Sequence, residues 1–503
     1  MTAKKKKKTL SPSEKSNREI LRFTYVIVFL FLCMSLSTSA QTADERAGTY
    51  MNQENWFSLQ REFAVNKDSL HPFLQEFGQA LLDNFFNRPQ AAYESIGKLL
   101  NEQQSNMGFE NTASMIYLLS ENLSKLGAND QAAETLKNFC DQVEGQVDST
   151  FLAGYRRKEK EYRALSKYAL YQWEKPDTDL ALPIRIDSVG PKGSGATAIA
   201  MEGSVNGKER NFILDTGASV NVVTPEVAKA CGMKILDVET TANGIGTGSG
   251  QFAIAEEIKT GPLVIRNVPF YVLDMKTGEE KADRYMKYLE VVIGLPFLNQ
   301  LQEIQLDLHN NRMIIPKELT PTPGFAPNIC FTRKDILNLE IVYDHELLQM
   351  NFDSGSCLSH LNYDYFEQHK DRIERIAERD SMGLAGFGGT AWVCIYKLPG
   401  ACFQIGEYTG CTDSLNVVAT PEQTALHFAG DGIVGMDMFR SFSTITINLK
   451  DMFVKTTPKM QGKNVMIYDS KKLRLKLPED QLNITDILLG IADIYLNYWN
   501  DHR

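Results

Sequence analysis

Between residues 180 and 466 one layout of four features occurs twice, in the same order. An apolar run ends in an Asp-Thr/Ser-Gly triplet: Phe212-Ile213-Leu214-Asp215-Thr216-Gly217 first, then Met350-Asn351-Phe352-Asp353-Ser354-Gly355. A glycine-rich turn follows each triplet, at residues 243–250 and 386–389. Next comes an apolar run closing on glycine, Val291-Val292-Ile293-Gly294 and Gly432-Ile433-Val434-Gly435, and the step from Asp215 to Gly294 nearly equals that from Asp353 to Gly435. Finally, Ile304-Gln305-Leu306-Asp307 and Ile445-Thr446-Ile447-Asn448 end at one and the same separation beyond Gly294 and Gly435. A lone Asp-Thr-Gly reads as a turn, because Asp bonds its own downstream backbone and Gly accepts positive φ. Four matched features in one order instead define two equivalent units, with the proline-rich residues 316–327 as the linker between them.

The texture around these features separates two fold classes. From residue 176 to about 466 the chain consists of short β-rich runs punctuated by glycine, such as Ala198-Ile199-Ala200-Met201, an all-β signature. Before that, apolar residues recur at helical spacing, as in Leu74, Phe77, Leu81, Leu82 and Phe85. Asn87-Arg88-Pro89-Gln90-Ala91-Ala92 precedes one helix, and Ala128-Asn129-Asp130-Gln131-Ala132-Ala133 precedes another further on, so that matching letters pair Asn87 with Ala128. Helix pairs at that period resemble tetratricopeptide-like hairpins, with an unrelated bundle as the alternative. The expected chain is multidomain, since 503 residues suit about three domains. It has an all-α helical-hairpin domain at 41–175, β lobes at 180–316 and 328–466, and an extension at 467–503 with a helical pattern at 484–499.

The triplets and the later apolar-apolar-Gly runs resemble the retropepsin and pepsin aspartic peptidases over residues 180–460. The spacing from triplet to later glycine suits the small retropepsin-like unit, while two units in one chain mimic the bilobal pepsin arrangement. The resemblance implies a bilobal all-β pepsin-like (acid protease) domain whose two loops meet at a pseudo-twofold axis, with Asp215 and Asp353 as the catalytic pair. Two carboxylates about 3 Å apart cannot both ionise, so they share a proton; one takes a proton from water while the other donates to the substrate carbonyl. Thr216 and Ser354 would hold the loops together through their hydroxyls. Gly217 and Gly355 would leave room for close approach, and Gly294 and Gly435 would lie beneath the loops where a side chain collides. The hairpin bearing Gly244, Ile245 and Gly246 would close over substrate, with Phe387 and Gly388 at the tip of its counterpart. The implied activity is an aspartic endopeptidase acting on peptide or protein without cofactor or metal. A catalytically silent peptide-binding module retaining the bilobal cleft is the alternative. No Gly-x-Ser-x-Gly elbow, His-Glu-x-x-His or Walker-type loop supports another mechanism.

The start of the chain bears on location. A basic run at residues 4–8, an apolar run at 23–36 and small Thr38-Ser39-Ala40 read as a secretory signal peptide over residues 1–40. That apolar run falls short of the ~20 residues that cross a bilayer, leaving an uncleaved anchor as the alternative. Without residues 1–40, 45 basic against 61 acidic side chains remain, a formal charge of −16 that argues against a nucleic-acid partner. Together with the resemblance of the tandem units to retropepsins, the basic leader implies the bacterial periplasm or cell envelope as the expected location, with the helical domain engaging a protein partner. Seven of the eight cysteines lie beyond residue 40, too odd a number for a complete disulfide framework. Cys402 and Cys411 can pair in an oxidising compartment, Cys357 reads as a small core residue, and His360 as a core or rim histidine.

Overall fold

The computed structural model describes residues 41–189, 196–244, 246–421 and 430–459. The expected signal peptide, Ile245 and the extension at 467–503 with its helix lie outside the described residues. Helices come first: α1 (Ala43–Asn52), α2 (Trp56–Asn66), α3 (Pro72–Phe85), α4 (Pro89–Glu102), α5 (Gln104–Lys125), α6 (Asn129–Val143) and α7 (Ser149–Leu165). Local chemistry sets their starts. Thr42 and Glu45 form a reciprocal capping box ahead of α1, and proline opens α3 and α4, where its missing N–H costs nothing. Consecutive helices from α3 to α7 pack side by side.

The two similar stretches begin α4 and α6, but with a different register. Asn87 (φ 53°) and Gly127 (φ 82°) each stand in left-handed backbone two residues before the helix, and fully buried Ala92 and Ala132 occupy the same helical position. The structural match is therefore Asn87 with Gly127, one position short of the match with Ala128 that the letters suggested. Geometry aligns the left-handed residue and the buried face, whereas the letters align a polar turn that tolerates slippage.

The β region carries the duplication into three dimensions. Numbered along the chain, β1 is Leu180–Pro183 and the first half then holds β2 (Arg185–Ser188), β3 (Thr197–Val205), β4 (Lys208–Leu214), β5 (Val222–Val223), β6 (Lys234–Asn243), β7 (Thr247–Thr260), β8 (Leu263–Val272) and β9 (Val291–Ile293). After β10 (Glu303–Asp307) and β11 (Arg312–Ile315), the second half holds β12 (Ile329–Phe331), β13 (Leu337–Tyr343), β14 (Glu346–Phe352), β15 (His360–Leu361), β16 (Glu378–Gly386), β17 (Gly389–Ile405), β18 (Tyr408–Val418) and β19 (Gly432–Val434). The last two strands are β20 (Phe442–Asn448) and β21 (Phe453–Pro458). One eight-stranded sheet has the order β2-β3-β4-β9-β5-β8-β7-β6, the other β12-β13-β14-β19-β15-β18-β17-β16. Adding ten to every strand number converts the first order into the second. Even the accessory pairing repeats, β3 with β7 and β13 with β17.

A five-stranded sheet, β1-β11-β10-β20-β21, joins the halves. Its centre is the fourth duplicated feature: β10 and β20 pair antiparallel, Ile304 opposite Ile447 and Leu306 opposite Ile445. The helices share the core of this body. One continuous apolar cluster runs from Trp56 and Phe85 through Phe212 and Phe297 to Phe352 and Phe439. Polar contacts reinforce it: Asn87 donates to Asn299 Oδ1 and to the Leu449 carbonyl, each at 2.7 Å, and Arg61 pairs with Glu340 at 2.8 Å.

Candidate active site

Each Asp-bearing loop leaves a strand held in parallel by the strand that ends in the later glycine. Ile213 and Leu214 pair with Val292 and Ile293, and the Asp215 amide extends the ladder to the Ile293 carbonyl at 3.0 Å. The second half repeats this, Asn351 and Phe352 against Ile433 and Val434, with Asp353 N to Val434 O at 3.0 Å. Each triplet thus begins where its strand stops, which places the Asp side chain at the end of the sheet.

Thr216 and Ser354 lock the two loops together with four reciprocal bonds. The Thr216 hydroxyl donates to Phe352 O at 2.7 Å and accepts from Ser354 N at 2.9 Å. The Ser354 hydroxyl donates to Leu214 O at 2.8 Å and accepts from Thr216 N at 3.0 Å. Both side chains are completely buried, so no water competes for these groups and each bond has its full effect.

The lock brings the two carboxyls together. Asp215 Oδ1 accepts from Gly217 N at 2.8 Å; Asp353 Oδ1 accepts from Gly355 N at 2.8 Å and Ser356 N at 3.0 Å. The two carboxyls adjoin across the pair of loops, each beside the other loop's glycine. A methyl on Gly217 would stand 2.3 Å from Asp353 Cγ, and one on Gly355 2.5 Å from Asp215 Cγ, so each loop needs glycine for space. Both carboxyls keep some open surface, yet the protein around them strips most of their hydration. Burial pushes both above the usual carboxylate range, and the charge of Asp215 adds to the effect on Asp353. A proton shared by two such coupled carboxyls belongs to the pair and not to either group.

Beneath the loops, Gly294 and Gly435 fill positions where a Cβ would lie 2.4 Å from Val220 O and 2.8 Å from Ser356 O, respectively. Their amides are held by side chains to which sequence reasoning gave no role: Asn221 Oδ1 accepts from Gly294 N at 3.0 Å, and Ser359 Oγ from Gly435 N at 2.9 Å. Both stand six residues after their Asp, a regularity visible in the sequence once the triplets are aligned.

The β6–β7 and β16–β17 hairpins meet tip to tip. Gly246 N donates to Phe387 O at 3.1 Å, a Cβ on Gly244 would lie 2.7 Å from the same oxygen, and Gly388 (φ 83°) abuts Gly246. Phe387 crosses to the first half and packs against an apolar cluster of Val222, Leu273, Met275, Met286 and Val292. The methionines come from residues 273–290, a stretch without a recognisable motif. Cys357 is half-buried beside this site, so it is not the core residue expected; burial raises its thiol. His360 is buried on β15, and burial lowers its ring to about 4. Cys402 and Cys411 face each other across β17 and β18 as a disulfide. Among the described residues no group of His, Cys, Asp and Glu is arranged to hold a metal, and no helix is long and apolar enough to cross a membrane.

Residues 201–297, from within β3 to the start of the helix after Gly294, match the family described as Aspartyl protease. The chain thus carries an aspartyl-protease-like domain within a helical and then largely β architecture. It is similar to the DNA damage-inducible protein 1 of Neurospora crassa, 30% identical over 122 residues, which are 24% of this chain and 26% of that protein. Its similarity to the protein of the same name from Chaetomium globosum is 31% over 131 residues, 25% of this chain and 26% of the relative. The chain therefore spans about a quarter of the length of the curated relatives it matches. Among solved structures it resembles Basic 7S globulin from soybean at a TM-score of 0.35 and 11% identity, over 56% of this chain and 96% of that one, a likeness too low to carry an argument.

Proposed function

We propose that this chain is an aspartic endopeptidase of bilobal, pepsin-like arrangement that hydrolyses peptide bonds with water activated between Asp215 and Asp353. The observation that carries the reading is geometric: each carboxyl is seated against the other loop's glycine, with Thr216 and Ser354 locking the two loops together. With one proton on the pair, the ionised carboxylate takes a proton from water as its oxygen attacks the scissile carbonyl. The protonated partner donates to the carbonyl oxygen, giving a gem-diol. Collapse breaks the C–N bond, and the amine leaves with a proton returned by the pair. The apolar patch under Phe387 adjoins Ala218 and lies where a substrate side chain would be seated.

The helical region would serve as a platform for a protein partner. Export to an oxidising compartment such as the bacterial periplasm or envelope is supported by the Cys402–Cys411 disulfide. The test compares the wild-type chain with Asp215→Asn and Asp353→Asn on a denatured-protein mixture between about pH 3 and 8, a window spanning carboxyl titration, reading new termini by mass spectrometry. Cleavage by the wild type that both variants lose is the expected result. A folded wild type that cuts nothing the variants spare would replace this reading with a silent peptide-binding cleft.

A further inference from the structure

Support under the two catalytic loops is wired differently in the two halves. In the second half it closes on itself: Ser359, whose Oγ holds the Gly435 amide, donates from that hydroxyl to Asp437 Oδ1 at 2.6 Å. In the first half it runs outward. Asn221 holds Gly294 N with its carbonyl oxygen, and its Nδ2 donates to Pro269 O and to the Tyr171 hydroxyl, both at 3.1 Å. Tyr171 belongs to neither β half; it lies six residues after α7, at the foot of the helical region.

The backbone at Tyr171 is itself unusual. It stands at φ 47°, a left-handed conformation that bulky residues rarely adopt and that persists only where surrounding structure imposes it. Here the Tyr171 amide is tied to Asn267 O at 3.2 Å, and Gln172 exchanges two backbone bonds with Arg266 at 3.0 and 2.9 Å. The result delivers the phenol to the amide of Asn221. With acceptors for both of its Nδ2 hydrogens, Asn221 is fixed in the one orientation that aims its oxygen at Gly294. A cavity of about 480 Å³ between the helices and the β body opens on this link, walled by Tyr171, Asn221 and Pro296 on one side, Lys125 and Glu161 of the helices, and Phe331 and Asp335 of the second half.

We propose that Tyr171 is a positioning residue through which the helical region sets the Asp215 loop, by way of Asn221 and Gly294, while leaving the Asp353 loop untouched. Its consequence for turnover rests on the peptidase reading; its consequence for loop order does not. The test is Tyr171→Phe in the full chain, which keeps the ring and removes the hydroxyl, with Tyr168→Phe as control at the same cavity. Hydrogen exchange read by mass spectrometry should be about fivefold faster at 215–221 and 291–298, the scale of one hydrogen bond near 1 kcal/mol, and unchanged at 353–359 and 432–439. The control should leave all four segments alone. In peptide cleavage, kcat should fall by a similar factor at constant KM, with a displaced pH profile, since one carboxyl moves against the other. Equal acceleration in both halves, or none in either, overturns the positioning role. Absence of cleavage by the wild type would remove the peptidase reading, and the contrast in exchange would still decide the inference alone.

Discussion

On the aspartic-peptidase reading, replacing Gly217 by alanine should disable the pair while leaving both aspartates in the chain. The added Cβ would stand 2.3 Å from Asp353 Cγ and 2.4 Å from its Oδ1, whereas ordinary contact begins near 3.4 Å, so the two groups must part by the difference, on the order of 1 Å. The carboxyl cannot simply swing aside, because Oδ1 holds the Gly355 and Ser356 amides. Nor can the loop back away, since Thr216 and Ser354 lock it from within. Misplacement of a reacting group by about 1 Å costs on the order of a hundredfold in rate, or about 2.7 kcal/mol of transition-state stabilisation. Overpacking of this kind adds a stability loss of about 1–3 kcal/mol. Initial rates on a peptide the wild type cleaves, with thermal melting alongside, measure both effects. Gly97→Ala is the control: nothing lies within 4 Å of its added Cβ and it sits inside α4, so it should leave the rate alone and stabilise slightly. A Gly217→Ala enzyme within about threefold of wild type in kcat, against the hundredfold expected, would refute the steric account of the triplet glycine.

Thr216→Val should cost about 2–6 kcal/mol, because it strands the buried Ser354 N–H and Phe352 carbonyl at about 1–3 each. Urea unfolding midpoints test this, and a loss below about 1 kcal/mol would mean that the lock contributes little. Glu121, on α5 at the cavity between helices and β body, is raised to about 8 by burial first and by Asp335 next, with Glu161 adding and Lys125 and Lys158 opposing. A carboxyl raised in the folded state stabilises below its unfolded value and loses that contribution as pH rises through the folded one. Wild-type melting temperature should therefore fall toward alkaline pH through about 8, and Glu121→Gln should flatten that slope in calorimetry. The same sign applies to Asp353: its raised carboxyl makes Asp353→Asn the more stable protein at neutral pH, and a less stable variant there would contradict the burial argument.

The parts of the site that repeat were legible because duplication exposes them. Asp215 and Asp353, their hydroxyl and glycine neighbours, and Gly294 and Gly435 stand at matched separations, and short-range backbone demands tie each to a residue type. Asn221 and Ser359 were not legible as partners in function, since an amide and a hydroxyl do the same work only when the glycine amide above them is placed. Met275 and Met286 were invisible for a related reason: flexible apolar side chains carry no spacing signature, and only the folded chain gathers them into the cluster against which Phe387 of the opposite half packs.

By itself the sequence determined which elements exist and that two of them are copies, because helical and strand periodicities and turn residues act over a few neighbours. The tertiary structure decided what faces what. It paired β10 with β20 across the halves, set Ala92 and Ala132 at the same position of their helices, brought Phe387 onto the apolar cluster of the first half, and tied Tyr171 to Asn221. Those contacts join residues distant along the chain, where packing and hydrogen-bond geometry, rather than local propensity, select the partner.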